Sequence, residues 1–123
     1  MSVATAVDYD GLNIVVLVGE VTTPLVSRSL ASGDTVSSFD VATHTEDGRL
    51  SVPISLSGES SAVVVGAQVC IVGAVRRRFF RAGGSVTSRT EVIAEWVIPL
   101  RRKAQIRKAL EDSVANLLAL QGA

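Results

Sequence analysis

Two stretches rich in β-branched residues flank Arg81-Ala82-Gly83-Gly84, and that arrangement leaves little but a long β-hairpin to form. They are Val69-Cys70-Ile71-Val72-Gly73-Ala74-Val75-Arg76-Arg77-Arg78-Phe79-Phe80 and Val86-Thr87-Ser88-Arg89-Thr90-Glu91-Val92-Ile93-Ala94-Glu95-Trp96-Val97. β-branched side chains favour pleated backbone, and the glycines supply the positive φ of a tight turn. Such a ribbon carries Arg76, Arg77, Arg78, Arg81 and Arg89 with two phenylalanine rings. Guanidinium groups beside aromatic rings suit a surface that neutralises phosphates and stacks on bases. They equally suit a solvated basic hairpin with its rings buried, and composition alone favours that plainer reading.

A chain of 123 residues, 47% apolar and 20% charged, fits one domain with a modest core. No apolar run approaches a membrane span, and the first residues lack the basic-then-apolar layout of a signal peptide. A soluble cytoplasmic protein with no membrane partner is therefore expected. Cys70 is the one cysteine, which excludes an internal disulfide; within its apolar strand it reads as a small core residue.

The formal net charge of zero hides a segregation. Residues 1–50 hold seven carboxylates (Asp8, Asp10, Glu20, Asp34, Asp40, Glu46, Asp47) against Arg28 and Arg49, whereas residues 51–123 hold ten bases against five carboxylates. Positive charge gathers in the hairpin and in Arg101-Arg102-Lys103 with Arg107 and Lys108. A local positive field can exist despite the neutral total.

Residues 1–11 read as a flexible lead-in. Leu12–Val21 is a strand candidate in which Gly19 marks a bulge or sharp bend. Thr22-Thr23-Pro24 breaks it, and Ser32-Gly33-Asp34 is a turn. Thr35–Thr45 alternates, with Val36, Phe39, Val41 and Thr43 as inward or edge contacts. After the Glu46-Asp47-Gly48 turn, Leu50, Val52, Ile54 and Leu56 alternate with Ser51, Pro53 and Ser55, the period of a half-buried strand. Pro53 cannot donate to a ladder, which places that strand at an edge or a bulge. Residues 58–66 fit either one helical turn or a plain connection. With the hairpin, five short strands close near Ile98-Pro99 into a small barrel.

From Arg101 the period becomes helical. Ile106, Leu110, Val114, Leu117 and Leu118 or Leu120 form an apolar stripe over 101–121, with Gly122 able to end it. The stripe is expected to pack on the barrel or on a second subunit. Its basic first turn opposes the helix dipole, at a cost of only about tenths of a kcal/mol.

The order and spacing of several residues resemble the bacterial single-stranded DNA-binding protein family, as a divergent member. Asn13, Val15, Leu17, Gly19 and Val21 match its opening Asn-x-Val-x-Leu-x-Gly-x-Val strand, followed by Pro24, Gly33, Phe39 and Ala42. Val72-Gly73 with Val75 and Arg78 looks like its Val-x-Gly-x-Leu-x-Thr-Arg segment. Arg89-Thr90-Glu91-Val92-Ile93-Ala94 looks like its Tyr-x-Thr-Glu-Val-Val-Ala closing strand. The likeness covers roughly residues 12–98. It implies an all-β fold: a five-stranded OB barrel over residues 12–99, here with a C-terminal amphipathic helix over 100–123.

The departures bear on function. Family members stack bases on rings of the second, third and fourth strands, each contact worth about 1–3 kcal/mol. At the corresponding positions this chain has His44, Thr45 and Glu46, then Leu50 or Ser51, then Ser57, and only Phe80 retains a ring. The helix between the third and fourth strands is much shortened, and the final helix stands where the family has an acidic, Pro-Phe-ending tail.

The resemblance implies noncatalytic single-stranded DNA binding by a dimer or tetramer in replication, recombination or repair, nucleoid-associated in a bacterium. Arg76, Arg77, Arg78, Arg81 and Arg89 would meet phosphates, Phe80 would stack, and Arg101, Arg102 and Lys103 would extend the track. Of the adjacent rings, Phe80 is taken as the exposed one. Trp96 reads as core or subunit packing. His44 has no companion ligand for a metal, and no cofactor loop or nucleophile motif stands out, so no enzyme is expected. The alternative is an OB-fold protein–protein module that has lost most stacking rings and uses helix 101–121 to hold a partner.

Overall fold

The computed structural model describes residues 12–122, without the side chains of 120–122; the lead-in and the Leu120 position of the stripe lie outside what it describes. The strands are β1 (Val15–Val21), β2 (Val26–Ser29), β3 (Thr35–Thr45), β4 (Gly48–Ser57), β5 (Gln68–Ala82) and β6 (Ser85–Pro99). One helix, α1 (Lys103–Gly122), follows. β1, β5, β6, β4 and β3 hydrogen-bond in that order, and β3 returns to β1, which closes a five-stranded mixed barrel. All its pairings are antiparallel except β4 with β6, where Ile54, Ser55 and Leu56 run beside Val92, Ile93 and Ala94. This is the OB fold, with β2 as an extra strand on the outer edge of β3.

Closure depends on one strand serving two neighbours. β1 pairs with β5 from Val15 to Glu20, then with β3 at Glu20 and Val21. At the crossing lies Gly19, whose added Cβ would strike the Ala42 carbonyl oxygen and approach the Val41 side chain to 2.7 Å. The expected bend at Gly19 is therefore a close approach of two backbones. Pro53 lies just before β4 begins to pair with β6, where the strand is bonded on one side only. Its missing N–H costs no ladder bond there.

Inside the barrel Val21, Phe39, Val41, Ile54, Val69, Ile71 and Val92 form the core, plugged by Val63 from the 58–67 connection. That connection is two turns and no helix, tied to β1 by hydrogen bonds Val21 N–H to Ala67 O (2.9 Å) and Gly66 N–H to Val21 O (2.8 Å). Ser37 is also buried, donating to the Gly58 carbonyl at 2.5 Å. Val36, expected as an inward or edge contact, alternates to the other face, where it is half-buried.

A bulge reverses the sheet's facing midway along β5–β6. Val72 pairs with Trp96 but Gly73 pairs with Ala94, so Glu95 is an extra residue in β6. Before it, Val92 and Ala94 face the barrel interior; after it, Val97 packs inward while Ile98 joins Cys70 and Val72 on the outer side. Ala109, Ile106 and Leu110 of α1 cover that outer patch. Trp96 is more exposed than a core residue. An added Cβ at Gly73 would collide with the Ile93 carbonyl oxygen.

Replacing Gly73 by alanine is expected to cost roughly 2–3 kcal/mol in urea unfolding, because the clash is with backbone and cannot be relieved by a rotamer. Burial pushes the Cys70 thiol pKa up. At pH 8 the folded chain should therefore react with a thiol reagent far more slowly than the unfolded chain, and a mutant that loosens α1 should speed the reaction.

Candidate nucleic-acid interface

β5 and β6 are 15 residues each, long enough to span about 50 Å. Barrel partners reach only as far as Gly73 on β5 and Val92 on β6, so the rest is a two-stranded arm projecting roughly 25 Å. Gly83 (φ 58°) and Gly84 (φ 84°) make its two-residue turn, and positive φ at both central positions matches the twist of the strands. The Asn13 side chain steadies its base: Nδ2 donates to the Val75 carbonyl (2.7 Å), and the Val75 N–H donates to Oδ1 (2.8 Å). An amide side chain thus continues the ladder before β1 begins.

The register sorts the arm's residues onto two faces, since residues directly opposite share a side. Arg76 lies opposite Glu91, Arg78 opposite Arg89 and Phe80 opposite Thr87. On the other side Arg77 lies opposite Thr90, Phe79 opposite Ser88 and Arg81 opposite Val86.

The first face is organised by one carboxylate. Glu91 is only 5% exposed, and its Oε2 accepts from Arg76 Nη2 at 2.6 Å and Nε at 3.3 Å. Arg78 Nε stands 3.9 Å from the same oxygen, and Arg78 lies over the Phe80 ring at 5.7 Å from its centroid. Arg89 reaches toward Asp40, 3.9 Å away on β3. This face runs into a groove of about 130 Å³ on the outside of β3, β4 and β6, where Arg28, Arg78 and Arg89 surround Ser38, Ser55 and Glu91. Three guanidinium groups against the single carboxylate of Glu91 leave the groove net positive, with serine hydroxyls on its floor, which suits an anion.

The second face has no such carboxylate. Among the described residues neither Arg77 nor Arg81 forms an ion pair, and both are exposed. Phe79 between them is 65% exposed, more than Phe80 at 40%. Adjacent strand residues do point to opposite sides, but the arm has water on both, so two rings are available where one was expected.

The structure therefore gathers Arg76, Arg77, Arg78, Phe80, Arg81 and Arg89 into one arm and separates Arg101, Arg102 and Lys103 from it. Those three follow the far end of β6, about 24 Å along the strand from Val92, and Arg101 and Arg102 line a different hollow with Gln105 and Ser61. His44 and Leu50 are exposed on the β3–β4 hairpin and Ser57 at the end of β4, so these three positions add no phenyl or indole ring; on the outer face of β6, Trp96, opposite Val72, is 36% exposed. Arg28, Asp40 and Phe79 were missed by sequence reasoning. Arg28 rides on β2, four exposed residues with no apolar period to reveal them.

Glu91→Ala is expected to destabilise the fold by about 1–3 kcal/mol in chemical unfolding, the lower end reflecting a half-exposed Arg76. Asp40→Ala, facing an exposed Arg89, should cost less than about 1 kcal/mol.

No protein-family model matches this chain, and no curated protein matches its sequence. Among solved structures it is similar to the Plasmodium falciparum SSB in complex with ssDNA, with a TM-score of 0.64 and 21% identity over 75% of this chain and 97% of that one. At that identity the likeness concerns the OB fold.

Proposed function

We propose that this chain binds single-stranded DNA without catalysis, as an oligomeric OB-fold protein acting in replication, recombination or repair. The observation that carries the reading is the arm: exposed Phe79 and Phe80 set among arginines, leading into an arginine-lined groove on the barrel. The similarity to an SSB solved with ssDNA supports it. Arg77 and Arg81 would neutralise phosphates directly, having no internal carboxylate. Arg78 and Arg89 would do so in the groove, with Arg76 and Glu91 holding Arg78 in place. The rings would stack on bases, sparsely, so phosphate neutralisation should dominate affinity. Such binding weakens steeply with salt because each contact releases counterions.

A dimer or tetramer would form first along β1. Leu12 and Ile14 just before it and Val16 and Val18 within it are all exposed, and among the described residues its side away from β5 has no strand partner from Val15 to Gly19.

The ion pairs of Arg76, Arg78 and Arg89 favour the second reading, a protein–protein module whose arginines serve the fold. The two readings part at Arg77 and Arg81. In fluorescence titrations with oligo-dT across a salt series, Arg77→Ala and Arg81→Ala should each reduce the log–log salt slope by about 0.7. Phe79→Ala should weaken binding by about 1–3 kcal/mol at every salt concentration. Absence of binding by the unaltered chain at low salt would refute DNA binding and leave the interaction module.

A further inference from the structure

We infer that the outward face of α1 is a docking surface for a second copy of this chain, through an antiparallel pairing of the two helices. The sequence stripe is only partly spent on the barrel. Ala109 is buried there, with Ile106 and Leu110 half-buried beside it, whereas Val114 and Leu118 remain 53% and 60% exposed. Ile106, Leu110, Val114 and Leu118 form one i, i+4 ridge, and Arg107 and Glu111 belong to the next, with a shallow channel between the ridges. A ridge of this kind seats in the matching channel of another helix, crossing at about 50°.

The charges choose both the occupant and its direction. Among the described residues Arg107 and Glu111 have no ion-pair partner within the chain, whereas Lys108 and Asp112 pair with each other at 3.6 Å. About a two-fold axis near Leu110, an antiparallel copy sets Ile106 beside the second copy's Val114 and Leu110 beside its counterpart. Arg107 then lies only two residues, about 3 Å along the axis, from level with the second copy's Glu111, within side-chain reach, twice by symmetry. A parallel copy would set Arg107 against Arg107 and Glu111 against Glu111. A surface complementary to itself under a two-fold axis fits a second copy better than an unrelated helix.

The contact is compact, so the association should be modest and concentration-dependent. It is independent of whether the arm binds DNA, because the outward ridge of α1 includes no residue of the arm, even though Ser113, Asn116 and Leu117 border a hollow at the arm's base with Ala74 and Ile93. Sedimentation velocity of the full chain without DNA, over a wide concentration range, tests it. The variant Val114→Arg with Leu118→Arg changes exposed positions only and should halve the sedimenting mass at high concentration. Arg107→Glu alone should weaken association roughly tenfold, and adding Glu111→Arg should restore it. That rescue distinguishes paired helices from a disturbed fold, and it stands even if the double arginine variant misfolds. An unaltered chain that stays monomeric throughout, a double arginine variant with unchanged mass, or a charge swap that fails to restore association would each overturn the proposal.

Discussion

Everything in this molecule hangs on backbone meeting backbone at two glycines. At Gly19, β1 crosses β3 so closely that no side chain fits between them, and the barrel closes there. At Gly73 the same intimacy with Ile93 accompanies the bulge at Glu95. A bulge adds a residue to one strand and reverses which side the following residues face. Here it lets one hairpin do three jobs: wall of the barrel around Val92, floor for α1 around Ile98, and free arm beyond Val75.

The arm is stable enough to project because its charges are organised internally. A bare two-stranded ribbon is marginal in water. This one is braced by the Asn13 side chain at its base and by Glu91 between Arg76 and Arg78. The bracing has a functional consequence. Of the arginines opposite one another across the strands, Arg78 leans on Glu91 and Arg89 on Asp40, and both face the groove. The arginines that need no bracing, Arg77 and Arg81, lie on the opposite side with Phe79. The arm thus has a preorganised face and a free one, both of which the proposed DNA binding would use.

Much of this is legible in the amino-acid sequence alone. β-branched runs, Pro53, the Gly-rich turns and the spacing from Asn13 to Val21 carried the strands and their order, since those signals are local. The Gly83-Gly84 turn even sets Arg76 opposite Glu91, so the central ion pair could have been read from the hairpin register. β2 could not, because four exposed residues that pair only with an edge leave no hydrophobic period. Nor could the exposure of both rings, because alternation says which side a residue faces, not whether anything covers that side.

The amino-acid sequence by itself determined the hairpin, its tight turn, the alternating core of β3 and β4 and the final helix, because propensity and periodicity act over a few residues. Tertiary structure alone decided where the charges and apolar stripes ended up. The separation of Arg101, Arg102 and Lys103 from the arm depends on how far β6 runs before it ends. The half-used stripe of α1 depends on how much of the barrel's outer sheet the helix can cover. Both are set by contacts between segments far apart in the chain, to which a local pattern is blind.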